Sequence, residues 1–303
     1  MATIKSWINA ARLRALPLAL SGIIMGCGLA WFLDVIQWLV SLLAIITATL
    51  IQVFSNFAND YGDSQHGTDN CFRLGPTRMI QSGEISKKEM ITGMFIVGVL
   101  CFLFGTGLVY LGTWHHSKFA FFSFIGFGVL SLLAAYFYTA GKKPYGYIGL
   151  GDLFVFIFFG PLPVAGVFYL NTNFLPYSIF LPAISIGFFS VGVLNINNMR
   201  DIENDRNSGK ITIAVRLGRK KSRIYHIFLI LGGWIAALIY VANQHTSLWQ
   251  WLFILVLPLF INDLVKIKKI KNDKELDPFL KRLALSTLAF TLLFCAGLII
   301  SAK

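Results

Sequence analysis

Residues 36–69 read IQWLVSLLAIITATLIQVFSNFANDYGDSQHGTD. The first part, 36–55, is a predominantly apolar run of the ~20 residues that a helix needs to cross the hydrocarbon core of a bilayer. The second part is a cluster of amides and carboxylates: Asn56, Asn59, Asp60, Asp63 and Asp69. Acids at the end of a membrane helix are costly unless a cation neutralises them, so they point to function rather than packing. If the helix runs on for a turn or two, Asn59 and Asp63 stand at i and i+4 on one face, with Asn56 and Asp60 beside them. Gly67 then releases the chain into a loop that can bring Asp69 back to the same point.

The design recurs. A second apolar run, starting near Ile179, leads into Asn197-Asn198-Met-Arg200-Asp201-Ile-Glu-Asn-Asp205. Here Asn198, Asp201 and Asp205 fall at i, i+3 and i+7, again one helical face, which makes the pair of motifs a weak internal repeat. Further apolar runs begin near Leu16, Ile91, Phe119, Leu153, Ile224, Trp249 and Leu283. Together they predict an all-α, polytopic membrane bundle of about nine transmembrane helices, a single domain over residues 1–303. Composition agrees, with 56% hydrophobic residues, 13% charged residues and a mean hydropathy of +0.69. A soluble domain with a polar surface does not reach that profile.

Charge distribution predicts orientation. With the N-terminus inside, the alternate segments 1–15, 56–90, 139–152, 195–223 and 265–282 hold 24 of the 26 Lys and Arg residues, leaving Lys118 and Lys303 opposite. Basic residues gather in short cytoplasmic loops, so the N-terminus and both acidic motifs are expected on the cytoplasmic side. The net charge of +12 is then a positive membrane face. Lys266, Lys268, Lys269, Lys271 and Lys274 fit topology setting and contact with anionic headgroups. No aromatic-interleaved RNA motif or DNA-reading helix accompanies the charge, so no nucleic-acid partner is expected. Residues 1–14 read as an amphipathic interfacial helix without a small-residue cleavage pattern, expected to stay on the mature chain. Cys27, Cys71, Cys101 and Cys295 show no paired spacing and read as packing residues.

Two facing sets of amides and carboxylates suit Mg2+, which prefers octahedral oxygen coordination and is commonly shared between one or two carboxylates and a substrate phosphate. A diphosphate bridged by metal would satisfy both motifs. Glu84, Glu89, Asp273, Glu275 and Asp277 lack such a pattern and read as ordinary salt-bridge partners. Arg73 and Arg78 follow the first motif, Lys142 and Lys143 follow the fourth apolar run, and Arg200 and Lys210 flank the second motif. Each could hold phosphate oxygens or simply set topology. The stretch from Tyr138 to Asp152 is rich in glycine and tyrosine. Asp152 could cap a helix or place an aromatic co-substrate. Tyr138, Tyr145 and Tyr147 could face a carbocation or sit in an interfacial belt.

These motifs resemble the UbiA superfamily of intramembrane aromatic prenyltransferases. The resemblance rests on Asn59, Asp63, Gly67 and Asp69, on Arg73-Leu-Gly-Pro-Thr-Arg78, on Tyr138 through Asp152, and on Asn197-Asn198-x-Arg200-Asp201-x3-Asp205 with Gly209-Lys210-x-Thr212. Gly67 stands where a benzoate-type relative commonly carries a third acid, which points to the naphthoate branch that makes menaquinone. The resemblance implies transfer of a polyprenyl group from its diphosphate to 1,4-dihydroxy-2-naphthoate in the bacterial cytoplasmic (inner) membrane, with the active site facing the cytoplasm. It implies Mg2+ held by Asn59, Asp63, Asp69, Asn198, Asp201 and Asp205, with Asp60 in support. Arg73, Arg78, Lys142, Arg200 and Lys210 would bind diphosphate, while Asp152 and Tyr138 would place or polarise the acceptor. The alternatives are another acceptor such as 4-hydroxybenzoate, a divalent-cation or phosphate-compound transporter, and a lipid-bound scaffold. One-sided acids with a nearly uncharged far side favour an enzyme.

Overall fold

The computed structural model describes residues 2–302 apart from 71, 72 and 245; Cys71 and Lys303 therefore lie outside the described residues. Among those described, all regular structure is helical. The order is α1 (Ile4–Ala11), α2 (Leu16–Phe32), α3 (Trp38–His66), α4 (Lys87–Thr113), α5 (Lys118–Phe137), α6 (Gly151–Phe159), α7 (Pro161–Thr172), α8 (Phe180–Arg200), α9 (Ile202–Asn207), α10 (Ile213–Gln244), α11 (Leu257–Lys269) and α12 (Asp277–Ser301). Nine stretches of the described chain are long and apolar enough to cross a membrane. One is α6 and α7 together, broken at Gly160 ahead of Pro161, and another joins the 3-10 turn Leu248–Val256 to α11.

Local chemistry places the boundaries. Ser86 and Glu89 form a reciprocal capping box at the start of α4, and the Ser117 hydroxyl accepts from the Ala120 amide to start α5. Thr3 caps α1, whose Ile4 and Ile8 are exposed while Ala10 and Ala11 are buried, the amphipathic pattern expected of the N-terminus. Loops expected from 56 and 195 begin later than that. The helix α3 runs to His66 and stops at Gly67, whose φ of 69° is the left-handed conformation that glycine adopts at little cost. Likewise α8 runs to Arg200.

The core lies where α8 packs against α6, α7, α10 and α12. Phe189, Trp234, Phe260 and Phe290 interlock there, with ring centroids 4.8 Å apart for Phe189 and Phe260 and 5.3 Å for Trp234 and Phe290. In contrast, α5 buries only Ala120 among its residues and leaves Phe119 and Phe122 open. Water would not tolerate so wide an apolar face, whereas lipid matches it.

The polar end of α3 is pressed against the segment that follows α5. A Cβ on Gly62 would stand 2.5 Å from the Thr139 backbone carbon and hydroxyl, closer than packed atoms allow. Gly62→Ala is therefore expected to destabilise the protein by about 1–3 kcal/mol, read as a lower thermal midpoint in detergent. Gly107→Ala, with no atom near its would-be Cβ, is the control; an equal loss there would refute the packing explanation.

Candidate active site

Both acidic motifs lie at one end of the bundle and are tied to each other. The Tyr147 hydroxyl donates to Asp63 Oδ1 at 2.9 Å and lies 2.5 Å from the Thr68 hydroxyl. Asn204 Nδ2, inside the second motif, donates to the Thr68 carbonyl at 2.9 Å. The Ile211 amide donates to the Tyr147 carbonyl, which draws Lys210 over the Tyr147 ring with its ammonium 5.4 Å from the centroid. Lys210 in turn lies 3.9 Å from Asp205. Tyr147 is thus the post around which the two motifs close.

In the first motif, Gly67 turns the chain so that Asp69 comes back beside Asp63, as the spacing predicts. Arg78 spans the two, 3.6 Å from Asp63 and 3.4 Å from Asp69, and Arg73 reaches Asp69 at 3.2 Å. The Asp69 side chain is only 1% exposed, and burial followed by repulsion from Asp63 holds it well above the usual carboxylate range despite Arg73. Asn59 accepts from the Thr139 hydroxyl at 3.2 Å. Asp60 has a different occupation. Its two oxygens accept the Met79 and Ile80 amides at 3.0 and 3.3 Å, so it clamps the 76–85 loop.

The second motif departs from one continuous helical face. The helix breaks at Asp201, with φ −100° and ψ 12°, and resumes as α9. Both Asp201 oxygens are held by Arg200, at 3.1 and 2.6 Å, and Arg200 is also held by Asn197 and by Asp277 from α12. Asp205 is buried and lifted to about 6 by burial, with Asp201 and Asp63 adding to the effect and Lys210 opposing it. Burial works against the Lys210 ammonium, but Asp205 and Asp63 outweigh it and keep the group charged.

Next to these groups lies a cavity of about 460 Å³. Its polar lining includes Arg12, Asn59, Asp63, Arg78, Asn197 and Lys210, Tyr138 and Tyr145 also face it, and most of the other lining side chains are apolar. Burial pushes the Tyr138 phenol up to about 12, so it is a neutral donor. Tyr145 stacks on Phe154 at 4.1 Å. A second cavity of about 470 Å³ adjoins it, lined by Arg12, Arg14, Arg73 and Arg78.

Several expectations change. Asn197, not Asn198, lines the cavity; Asn197, Asp201 and Asp205 then repeat the i, i+4 step of Asn59 and Asp63. Asn198 is buried with its Oδ1 unpartnered. Lys142 is exposed and away from the cavity lining. Asp152 stands in the first turn of its helix, where a carboxylate suits the dipole, but does not line the cavity; it accepts from the Tyr225 hydroxyl at 3.0 Å. Arg12, Asn197 and the bracing role of Asp277 escaped the sequence reading.

A profile of the UbiA prenyltransferase family matches residues 16–300. The chain belongs to the UbiA prenyltransferase family. It is 41% identical over 297 residues to the 1,4-dihydroxy-2-naphthoate octaprenyltransferase of Escherichia coli (strain K12), covering 98% of this chain and 96% of that one. Its fold matches a UbiA homolog from Aeropyrum pernix K1 with a TM-score of 0.66 at 16% identity, over 99% of both chains. It also matches a UbiA homolog from Archaeoglobus fulgidus bound to DMAPP and Mg2+, with a TM-score of 0.55 at 17% identity, over 93% of this chain and 98% of that one.

The UbiA site of this chain has room for a divalent ion. Among the described residues, no three carboxylate, histidine or cysteine side chains converge into a cage. Instead, each motif keeps one buried carboxylate oxygen without a hydrogen-bond partner, Asp69 Oδ2 and Asp205 Oδ2. Orphaned acceptors of this kind call for a cation, and Mg2+ characteristically completes its shell with water and substrate phosphate. The residues fit the ion.

Proposed function

We propose that this UbiA-family protein transfers a polyprenyl group from polyprenyl diphosphate to 1,4-dihydroxy-2-naphthoate, releasing diphosphate and CO2 and giving demethylmenaquinol. The observation that carries the reading is one cavity that collects Asn59 and Asp63 of the first motif, Asn197 of the second, the cations Arg12, Arg78 and Lys210, two tyrosines and a largely apolar wall. That combination suits a substrate with a diphosphate, a reacting allylic carbon and a prenyl tail. The name of the 41%-identical relative supports the naphthoate acceptor. The Lys and Arg asymmetry supports a site facing the cytoplasm from the bacterial inner membrane.

Asn59, Asp63, Asp69, Asn197, Asp201 and Asp205 would hold Mg2+, which would supply Lewis-acid stabilisation of the negative charge growing on the departing diphosphate. Arg78, Arg73 and Lys210 bind the same oxygens, Lys210 as a buried permanent charge. The allylic C–O bond breaks with its electrons leaving on diphosphate. Tyr138 and Tyr145 offer ring faces to the cation left behind, and the apolar walls exclude water. The ring carbon bearing the carboxylate then bonds to the allylic carbon. Loss of CO2 returns the electrons of the ring–carboxylate bond to the aromatic system, so that carbon needs no base, in keeping with Asp152 lying outside the cavity. Arg12, whose strongest charged neighbour is Asp60, faces the same cavity and pairs with the acceptor carboxylate.

The test is purified protein with a polyprenyl diphosphate, Mg2+ and either 1,4-dihydroxy-2-naphthoate or 4-hydroxybenzoate. EDTA is expected to stop diphosphate release and excess Mg2+ to restore it. Release that survives EDTA would sink the metal-assisted ionisation. Product from 4-hydroxybenzoate alone would overturn the acceptor.

A further inference from the structure

Asp277 looks from sequence like one more solvated acid at the start of a helix. In the structure it holds Arg200, the arginine of the second acidic motif. It sits in the first turn of α12, one turn before Leu280, which lines the cavity. Its Oδ1 accepts from Arg200 Nη1, and its Oδ2 lies 3.8 Å from Arg14. Arg200 is 1% exposed and has every edge of its guanidinium engaged: Nε and Nη2 on Asp201, Nη2 also on Asn197, Nη1 on Asp277.

A buried guanidinium has to be neutralised where it lies. With both oxygens of Asp201 on one arginine, Asp201 is a poor ligand for a second cation. Asp277 is the other carboxylate on that arginine, and it takes the Nη1 edge that points away from Asp201. We propose that Asp277 is a positioning residue that shares Arg200 with Asp201 and so sets the divalent-cation affinity of the second acidic motif. It touches neither substrate nor metal. Its carboxylate holds the guanidinium from the α12 side, so Asp201 can turn an oxygen to the ion without leaving Arg200 buried and unpaired. Without Asp277, Arg200 has only Asp201 and Asn197, and any departure of Asp201 strands its charge. The inference rests on the metal-dependent reading above.

The experiment is Mn2+ binding, as a probe for Mg2+, followed by electron paramagnetic resonance on the full chain in detergent with inorganic diphosphate present. Asp277→Asn is expected to weaken Mn2+ binding about tenfold, the scale of one lost charge interaction at a partly shielded site. Asp277→Glu, which keeps the carboxylate, should stay within about threefold. In an Arg200→Gln background, where no guanidinium remains to be shared, adding Asp277→Asn should shift binding less than about twofold. Unfolding midpoints accompany each variant. If Asp277→Asn does not fold, Asp277→Ser carries the comparison, since serine suits a helix start. Wild-type affinity in folded Asp277→Asn, or the same weakening with and without Arg200, would overturn the role of Asp277. Wild-type protein that binds no Mn2+ with diphosphate would overturn the metal reading itself.

Discussion

Asp63→Asn is expected to lower the rate of diphosphate release by about 10²–10³-fold, the scale on which a preorganised electrostatic group acts in a water-poor site. Asp63 is the carboxylate on which the most groups converge. It lines the cavity, accepts from Tyr147, faces Arg78 and adds to the charge on Lys210. The amide keeps the shape and one acceptor oxygen, so Tyr147 retains its bond and the fold should persist. What is lost is the negative charge that a divalent ion requires. Asp60, three residues earlier, supplies the contrast. Its oxygens already serve two backbone amides, so Asp60→Asn should cost about 1–3 kcal/mol of stability through the 76–85 loop while leaving Mn2+ binding within a few-fold. Steady-state release and thermal unfolding on both variants separate the two roles. An Asp63→Asn enzyme retaining a tenth or more of wild-type rate would remove Asp63 from the metal site.

What could be read beforehand follows a physical division. Span number and the end of α3 were legible because hydropathy and Gly67 act within a turn or two of where they stand. Asn59 and Asp63 were legible because a helical i, i+4 step is fixed by backbone geometry alone. In the second motif it is Asn197, one residue before Asn198, that lines the cavity. Taking Asn198 with Asp201 assumes an unbroken helix, whereas the helix breaks at Asp201, which is held by Arg200, itself pinned by Asp277 from the last helix. No local signal announces a bond across 77 residues of chain. Tyr147 was visible only as a tyrosine suited to an interface, since its partners Asp63 and Thr68 lie on another helix end. Lys142 misled for the opposite reason: a lysine beside a glycine-rich turn is equally what topology alone requires.

Arg12 is where local backbone and distant chemistry meet. It ends α1 in the left-handed region, with φ 48° and ψ 59°, a conformation that a residue with a side chain adopts at a cost of about 1–3 kcal/mol. Nothing at ion-pair distance among the described residues repays that cost: the guanidinium makes one long contact, 3.5 Å to the Asn56 carbonyl, and otherwise faces the two cavities. The carboxylate that acts on Arg12 most strongly, Asp60, is already engaged by two backbone amides, which leaves the guanidinium free to take an anionic ligand, and the acceptor carboxylate has the charge and planarity that a guanidinium fork matches. Arg12→Gln is therefore expected to raise the KM for 1,4-dihydroxy-2-naphthoate about 10–100-fold, the scale of one charge-assisted contact. The KM for polyprenyl diphosphate should stay within about threefold, because Arg73, Arg78 and Lys210 remain. Arg12→Gly should lose acceptor binding equally yet unfold at a higher temperature, since glycine removes the left-handed penalty, worth about 1 kcal/mol. Stability and binding moving in opposite directions is a result that a merely structural arginine would not give. A parallel rise in the diphosphate KM would reassign Arg12 to the leaving group, and a less stable Arg12→Gly would make it a packing residue.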